Sequence, residues 1–263
     1  MTSLHNNDLF SVKDKTVLVT GGSRGIGLMI ARTLVENGAK VYISSRKAIV
    51  CQAVAEELSK IGTCIAIPAD LSSSDGRAHL VNALKEQEGG LDVLVNNAGA
   101  NWGAPFPDYP ESGYDKVMDL NVKSIFFLTQ DLLPLLLAKA SLDQPANVIN
   151  IGSIDGMRVS TMDNSAYGVS KIAVHHLTKI LAVKLQGKGI TVNAVAPGPF
   201  RSKMTESMLD TFQKQVEGVN PMKRIGVDGD MGGIVVFLAS RAGSYINGAV
   251  IPVDGGMHLL SMV

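Results

Sequence analysis

Three polar side chains in the second half of the chain are of types that can move a proton: Ser153, Tyr167 and Lys171. Tyr167 and Lys171 are four residues apart, so on a helix they share a face and the ammonium can lie near the phenol. A free phenol has a pKa of about 10, and a nearby positive charge favours the phenolate, so we expect the pKa of Tyr167 to be lowered. Such a phenol could give a proton to a developing alkoxide and recover it. Ser153 follows a predicted strand, where its hydroxyl could hydrogen-bond a carbonyl oxygen.

Residues 21–27 read GGSRGIG and stand between a first predicted strand and a first predicted helix. Glycine permits a tight turn and a close backbone approach, and the N-terminus of the helix offers free N–H groups to a pyrophosphate. This placement predicts a dinucleotide site rather than an ordinary turn. The expected binding residues are Gly21, Ser23, Arg24, Gly25, Ile26 and Gly27.

The end of the second predicted strand indicates which dinucleotide binds. A site for NAD usually has an acidic residue there for the ribose 2′-hydroxyl, but this chain has Ser44, Ser45 and Arg46. The Arg46 guanidinium could hold a 2′-phosphate with two hydrogen bonds, and Arg24 could add a second cation. We therefore predict NADP(H) as the cofactor. The alternative is that Arg46 is only a solvated residue at the start of a helix.

Composition excludes several classes of protein. The 263 residues include 24 basic and 24 acidic side chains, and 46% of the residues are hydrophobic, so we expect an ample core and no long disordered tail. The basic excess of a nucleic-acid-binding protein is missing. No membrane span and no secretory signal is visible, so we expect a cytoplasmic protein with no nucleic-acid or membrane partner. The cysteines and histidines do not have metal-ligand spacing, so no metal is predicted.

Short apolar runs alternate with helical patterns along the chain, as in βαβ units around a parallel sheet that is buried on both faces. We predict a single α/β domain over residues 1–263, a Rossmann-type, doubly wound sheet of seven parallel strands with helices on both faces. The predicted strands are 16–20, 40–44, 64–68, 91–95, 147–151, 190–195 and 249–253. The predicted helices are 25–36, 49–60, 75–86, 121–140, 166–186 and 228–239.

Two segments interrupt this alternation. Residues 101–112 contain Pro105, Pro107 and Pro110, and proline argues against a helix or a central strand there. Residues 199–226 form a long insertion after the sixth strand, and such loops are usually functional, so we expect a substrate lid. Its Met and Phe side chains suit an adaptable apolar wall, although they could also only fill core space under a loop.

Several motifs occur together in one order. They are TGGSRGIG at 20–27, Asp70-Leu71, NNAG at 96–99, Asn121, Ser153, YGVSK at 167–171, Pro197-Gly198 and VDGG at 253–256. In these motifs the sequence resembles the short-chain dehydrogenase/reductase family, and the resemblance covers residues 13–257.

The resemblance implies that Tyr167 and Lys171 are the catalytic acid–base centre. It implies that Ser153 orients the carbonyl and that Asn121 anchors a water-mediated proton relay. Without it, Tyr167 and Lys171 could be a surface pair and Asn121 a helix N-cap. It further implies cofactor contacts by Asp70, Leu71, Asn97, Ala98, Gly99, Tyr167, Lys171, Pro197, Gly198 and Ser202. Asp70 could instead only form a turn before a helix.

The chemistry that the resemblance implies is hydride transfer from NADPH to a ketone carbon, with Tyr167 protonating the oxygen. Residues 198–205 and the ending DGGMHL resemble the 3-oxoacyl reductase branch, especially members of rhamnolipid synthesis, so a 3-oxoacyl thioester is the expected substrate. The alternatives are a ketoreductase of secondary metabolism and an alcohol dehydrogenase. A catalytically silent dinucleotide sensor would not need to keep Ser153, Tyr167 and Lys171.

The resemblance also implies a homotetramer built on the predicted helices 121–140 and 166–186. The runs IFFLTQDLLPLLL and KIAVHHLTKILAVKL have more apolar residues than one buried face requires, which favours a subunit interface. Burial against the sheet could account for part of this excess, and a dimer is the alternative.

Overall fold

The computed structural model describes residues 4–260, so the first and last three residues of the predicted domain lie outside the described part. Seven strands form one sheet in the order β3-β2-β1-β4-β5-β6-β7, and every neighbouring pair is parallel. The strands are β1 Thr16–Thr20, β2 Lys40–Ser44, β3 Thr63–Ala66, β4 Val93–Asn96, β5 Ala146–Ile151, β6 Ile190–Pro197 and β7 Val250–Val253. The predicted doubly wound parallel sheet is confirmed.

Ten helices lie between residues 4 and 260. They are α1 Asn6–Leu9, α2 Gly25–Glu36, α3 Ala48–Leu58, α4 Ser74–Gln87, α5 Glu111–Met118, α6 Ser124–Asp131, α7 Leu133–Lys139, α8 Ser165–Leu185, α9 Glu206–Val219 and α10 Asp228–Ala239. A π-helical turn, Asp119–Lys123, joins α5 to α6. Single 3₁₀ turns lie at Phe106–Asp108, Ile154–Gly156, Arg241–Gly243 and Met257–Leu259.

The central strand β1 shows why the apolar runs form this sheet. Successive side chains of a strand point to opposite faces. Val17 and Val19 pack in one core cluster with α2 and α10, whereas Leu18 packs in a second cluster with α4, α6 and α7. All three side chains are completely buried. Because helices cover both faces, the strand has no polar face and its sequence is continuously apolar.

A buried polar chain ties two helices to the middle of the sheet. The Asn96 side-chain amide donates to Asn150 Oδ1 at 2.9 Å and to Thr129 Oγ1 of α6 at 3.3 Å. The Asn150 amide in turn donates to Thr178 Oγ1 of α8 at 2.9 Å. These hydrogen bonds satisfy polar groups that would be costly if buried alone, and they fix α8 against β5.

The prediction of one helix over 121–140 is wrong. Helical structure begins earlier, at Glu111, with Pro110 as the N-cap residue, so the last two residues of the proline-bearing segment 101–112 are helical. It ends at Asp131 and resumes as α7. The break is explained by Pro134, whose ring would clash with the Gln130 carbonyl and which has no N–H to donate.

The other helix and strand limits differ from the predicted ones by two residues or fewer, which is the usual uncertainty at the ends of elements. Three helices, α1, α5 and α9, were not predicted. Helix α9 occupies half of segment 199–226, so this insertion is a helix flanked by loops rather than one long loop. The spacing of Leu209, Phe212 and Val216 is the helical signal that the sequence contained.

No single helix between residues 4 and 260 is long and apolar enough to cross a membrane. One bent pair, Glu111–Asp131 with Leu133–Lys139, passes the test of length and composition, with an angle of 55° at the break. Its residues Leu128, Leu132 and Leu136 are completely or almost completely buried in the core beside the sheet.

Two adjacent glycines of α10 allow a matched test of the packing of α10 on α2. A Cβ at Gly232 would lie 2.6 Å from Thr33 Cγ2, whereas a Cβ at Gly233 would meet nothing within 4 Å. Gly232→Ala should therefore lower the free energy of unfolding by about 1–3 kcal/mol. Gly233→Ala should raise it by up to about 1 kcal/mol, because alanine is the better helix former. Urea denaturation measures both, and equal effects would contradict this packing.

Candidate active site

The candidate residues collect at the carboxyl edge of the sheet. Strands β2 and β3 lie on one side of β1, and strands β4 to β7 lie on the other. The connection after β1 therefore runs towards one edge of the sheet, and the connection after β4 runs towards the opposite edge. In doubly wound sheets this reversal opens a crevice that binds ligands. Residues 21–27 follow β1 and residues 97–99 follow β4, so both line the crevice.

The glycine-rich turn leaves the first N–H groups of α2 free. Helix α2 begins at Gly25, and its N-cap residue Arg24 makes no side-chain capping hydrogen bond. Gly21 and Gly25 have φ angles of +66° and +52°, a region that favours glycine. Free N–H groups and the helix dipole make this end a site for a phosphate group.

Thr20 joins this turn to the neighbouring one. Its hydroxyl oxygen accepts hydrogen bonds from the backbone N–H groups of Asn97 at 2.9 Å and Ala98 at 3.0 Å. The Asn97 side chain donates to the Thr20 carbonyl at 2.8 Å. A Cβ at Gly21 would lie 2.8 Å from Asn97 Nδ2, so only glycine leaves room for this contact. Sequence reasoning missed Thr20, although it opens the quoted motif TGGSRGIG.

Arg24 and Arg46 lie on turns that are bonded to each other. Ser23 Oγ donates to Ser45 Oγ at 2.9 Å, and the Gly21 N–H donates to the Ser44 carbonyl at 2.7 Å. Both arginines are exposed, and in the part of the chain that the structure describes neither has an acidic partner. A free helix N-terminus beside two unpaired cations fits a phosphate-bearing cofactor such as NADP.

Asp70 and Leu71 lie beyond β3, at the start of α4. Asp70 Oδ1 accepts from the Ser72 N–H at 3.1 Å and from the Ser72 hydroxyl at 2.7 Å, which is the turn alternative for this residue. The carboxylate is exposed and Leu71 is buried. The turn fixes the Asp70 backbone, so Asp70 could form this turn and contact a cofactor at the same time.

The 199–226 segment lies against the glycine-rich turn. A Cβ at Gly25 would be 2.8 Å from Ser202 Cβ, and the Ser202 N–H donates to Thr205 Oγ1 at 2.9 Å. Pro197 ends β6, and the following Gly198 N–H donates to the Val253 carbonyl at 3.0 Å. The cofactor candidate Ser202 therefore borders the glycine-rich turn, and Pro197 and Gly198 lie at the carboxyl end of β6. Thr205, which orients Ser202, was not predicted.

Ser153, Tyr167 and Lys171 meet where β5 ends on α8. Lys171 Nζ donates to the Ile151 carbonyl at 2.9 Å and lies 5.4 Å from the centre of the Tyr167 ring. Ser153 Oγ accepts from the Asp155 N–H at 3.1 Å. Ser153 and Lys171 are buried and Tyr167 is partly buried. The arrangement can offer a carbonyl oxygen two hydroxyl donors beside an amine.

The expected direction of the tyrosine shift is wrong for the ligand-free protein. Burial raises the pKa of Tyr167 to about 12, while the hydrogen bond with Ser153 opposes the rise and the Asp155 carboxylate adds to it. Burial lowers the pKa of Lys171 to about 8, and Asp155 opposes this change. The sequence argument counted the attraction of a cation for the phenolate and omitted the cost of burying either charge.

Asn121 is not a helix N-cap, because it lies within the π-helical turn. Its Oδ1 accepts from the Ala100 N–H at 2.7 Å, and its Nδ2 donates to the Ala100 carbonyl and to Ser170 Oγ, both at 2.9 Å. Ser170 Oγ in turn donates to the Tyr167 carbonyl at 2.7 Å. A π turn inside an α-helix often marks a functional site. Asn121 thus joins the turn after β4 to the first turn of α8.

Two further features complete the region. No group of three or more His, Cys, Asp or Glu side chains between residues 4 and 260 could hold a metal ion.

A cavity of about 260 Å³ lies between the 199–226 segment and the residues after β7, lined by Phe200, Met222 and Gly255 among others. None of Ser153, Tyr167 and Lys171 borders this cavity.

Known proteins match this chain over almost its whole length. The profile of a family described as enoyl-(acyl carrier protein) reductase matches residues 21–258. A rhamnolipids biosynthesis 3-oxoacyl-[acyl-carrier-protein] reductase of Pseudomonas aeruginosa is 49% identical, with 95% of this chain and 98% of that protein covered. The chain belongs to the short-chain dehydrogenase/reductase family. The resemblance that the motifs indicated is confirmed, and with it oxidoreductase chemistry.

Solved structures of this family superpose closely on the chain. The Pseudomonas aeruginosa RhlG/NADP active-site complex has a TM-score of 0.92 at 48% identity, and 95% of this chain and 98% of that one are covered. An actinorhodin polyketide ketoreductase, solved with NADPH, has a TM-score of 0.88 at 26% identity, covering 94% and 98% of the two chains. Relatives in this family therefore include, by name, both a 3-oxoacyl-[acyl-carrier-protein] reductase and a polyketide ketoreductase.

Proposed function

We propose that this member of the family uses NADPH to reduce a ketone to a secondary alcohol. The observation that carries the proposal is the convergence of Ser153, Tyr167 and Lys171 at the end of β5, on the crevice that also contains the free N-terminus of α2. A catalytically silent dinucleotide sensor would need the free N-terminus of α2 but not Ser153, Tyr167 and Lys171. The complete set of proton-handling groups favours the enzyme.

In this proposal Ser153 and Tyr167 donate hydrogen bonds to the ketone oxygen. NADPH supplies a hydride to the ketone carbon, and the Tyr167 phenol supplies the proton to the oxygen, so that a C=O group becomes CH–OH. A pKa of about 12 keeps the phenol protonated at neutral pH, as an acid for reduction must be. Lys171 lies beside the phenol, and Asn121 holds the backbone on which Tyr167 stands.

The cofactor is proposed to lie across the crevice with its pyrophosphate at the N-terminus of α2. Gly21, Ser23, Gly25, Ile26 and Gly27 form that turn. Arg24 and Arg46 would hold the 2′-phosphate. The remaining proposed contacts are Asp70, Leu71, Asn97, Ala98 and Gly99 on the adenosine side and Tyr167, Lys171, Pro197, Gly198 and Ser202 on the nicotinamide side. The two buried cysteines of this chain are free thiols, which fits a reducing compartment, and we propose the cytoplasm.

We propose a 3-oxoacyl thioester as the substrate. The name of the Pseudomonas aeruginosa relative supports this choice. An apolar surface on segments 157–162 and 199–226 also supports it, and segment 199–226 would act as the lid. Met157, Met162, Met204, Phe212 and Met222 are each at least two-fifths exposed there. Flexible methionines adapt to a long acyl chain. The likeness to a polyketide ketoreductase keeps a polycyclic ketone as the second candidate.

A turnover screen tests the proposed reaction. NADPH oxidation should be fastest with 3-oxoacyl thioesters when these are compared with cyclic ketones and quinones. Tyr167→Phe should lower kcat by about 10²–10⁴-fold, because it removes the acid. Tyr245→Phe makes the same change on a fully exposed ring and should leave the rate unchanged. Full activity in Tyr167→Phe would refute the assignment of the acid.

A charge reversal tests the cofactor site. Arg46→Asp should raise the KM for NADPH by about 10–100-fold, since it removes a charge-assisted bond to the 2′-phosphate, and should change the KM for NADH little. Lys47→Asp alters the next exposed cation by the same charge and is the matched control. Equal losses with the two nucleotides would exclude a phosphate contact by Arg46.

A homotetramer is also proposed. Apolar side chains on α8 remain exposed along one stripe with helical spacing: Val169, Ile172, Ile180 and Val183 are 42–61% exposed. Phe126 and Phe127 on α6 are about two-fifths exposed. These residues are additional to the apolar side of α8 that faces the sheet. A second copy of the chain would cover them. The proposed state is four copies, with two as the alternative.

The mass in solution, measured by sedimentation, should be that of a tetramer, and Ile172→Glu should reduce it because a charge on the stripe opposes burial. Lys214→Glu, a charge reversal on an exposed residue of α9 away from the stripe, is the control. A monomeric wild-type protein would refute the interface.

A further inference from the structure

A short turn carries Asp155 against the catalytic helix. The 3₁₀ turn Ile154–Gly156 follows Ser153 directly. A Cβ at Gly156 would lie 2.7 Å from the Lys171 carbonyl carbon, and a Cβ at Gly168 would lie 3.7 Å from the Asp155 carbonyl oxygen. The turn therefore packs on α8 between Tyr167 and Lys171, and glycine at position 156 is what allows this close approach.

The Asp155 carboxylate has no direct partner. Its backbone N–H donates to Ser153 Oγ, but in the described part of the chain its side chain makes no hydrogen bond and no ion pair within 4 Å. The residue is only partly exposed. A half-buried carboxylate without a partner costs stability, and groups of this kind concentrate at functional sites.

Charged groups face Asp155 from both neighbouring elements. On its own loop, Arg158 lies near it and is anchored by a 3.4 Å hydrogen bond from Nη1 to the Met257 carbonyl. On α8 stand Tyr167 and Lys171, and His175 lies behind Gly156 with its pKa lowered by burial. At neutral pH the imidazole is therefore uncharged, which leaves Arg158 and Lys171 as the cations.

We propose that Asp155 is a positioning residue of the catalytic site, whose negative charge stabilises the proton-bearing forms of the Tyr167 phenol and the Lys171 amine. A negative charge disfavours a phenolate and favours an ammonium. Asp155 raises the pKa of both groups, in agreement with this placement. The proposal rests on the proposed reductase activity only through the roles of Tyr167 and Lys171.

The pH dependence follows from this charge. Reduction needs the protonated phenol, so its rate falls as the pH rises through the pKa of Tyr167. Oxidation of the alcohol needs the phenolate, so its rate rises through the same pKa. Removing the Asp155 charge lowers that pKa, and both midpoints move to lower pH.

Asp155→Asn tests the proposal, because it removes the charge and keeps the shape. The midpoint of the pH profile for alcohol oxidation by NADP⁺ should move down by about one pH unit. Asp163→Asn makes the same change on an exposed residue of the same loop and should not move it. Asp155→Glu, which keeps the charge, should stay close to the wild type. Identical profiles for Asp155→Asn and the wild type would overturn the proposal.

A second readout does not depend on turnover. Magnetic resonance of isotope-labelled lysine side chains, with the Lys171 signal assigned from Lys171→Met, gives the titration of that amine, whose pKa is about 8 in the ligand-free protein. The midpoint should fall in Asp155→Asn and stay unchanged in Asp163→Asn. An unchanged midpoint in Asp155→Asn refutes the proposed charge effect. If the midpoint falls but no ketone is reduced, the proposed function fails, and the charge effect of Asp155 on the Lys171 amine stands without a catalytic role.

Discussion

The close contact between the turn after β5 and the first turns of α8 governs the catalytic end of this molecule. Gly152 and Gly156 leave no side chain between the turn and the helix, so Ser153 is brought to Tyr167 and Lys171. Lys171 reinforces the contact by donating to the Ile151 carbonyl at the end of the strand. One turn of backbone thus fixes a hydroxyl, a phenol and an amine relative to the sheet, and the buried Asn96–Asn150–Thr178 chain holds the helix in that position.

The two sides of the crevice differ in their electrostatics. On the β1 side, backbone N–H groups at the start of α2 and the exposed Arg24 and Arg46 present positive charge. On the β5 and β6 side, ionisable groups are buried, so their proton affinities are set by desolvation and by each other rather than by water. Thr20 and Asn97 join the turns after β1 and β4 by direct hydrogen bonds, which fixes these two neighbouring turns relative to each other.

Most of the sheet could be predicted from the sequence because continuous apolar runs and glycine-rich turns are local signals. The strand β1, the helix α2 and the turn between them have the limits that their residues indicate. Pro134 was also a local signal, but the apolar pattern on both sides of it concealed the break. The raised pKa of Tyr167 and the bridging role of Asn121 could not be predicted, since both depend on what other segments bury. The spacing of residues in the sequence shows which side chains can come together, but it does not show how far the folded chain removes them from water.

The π turn at Asp119–Lys123 sets the direction in which the side chains of the following helix, α6, point. A π turn contains one residue more than an α turn, and each residue of an α-helix corresponds to a rotation of about 100°. If one residue were lost there, the segment would remain helical, but Phe126 and Phe127 would face a different direction. Asn121 would lose its place opposite Ala100 at the same time. A single insertion in one helix therefore couples the side chain that braces the reaction centre to the aromatic surface on the outside of the molecule.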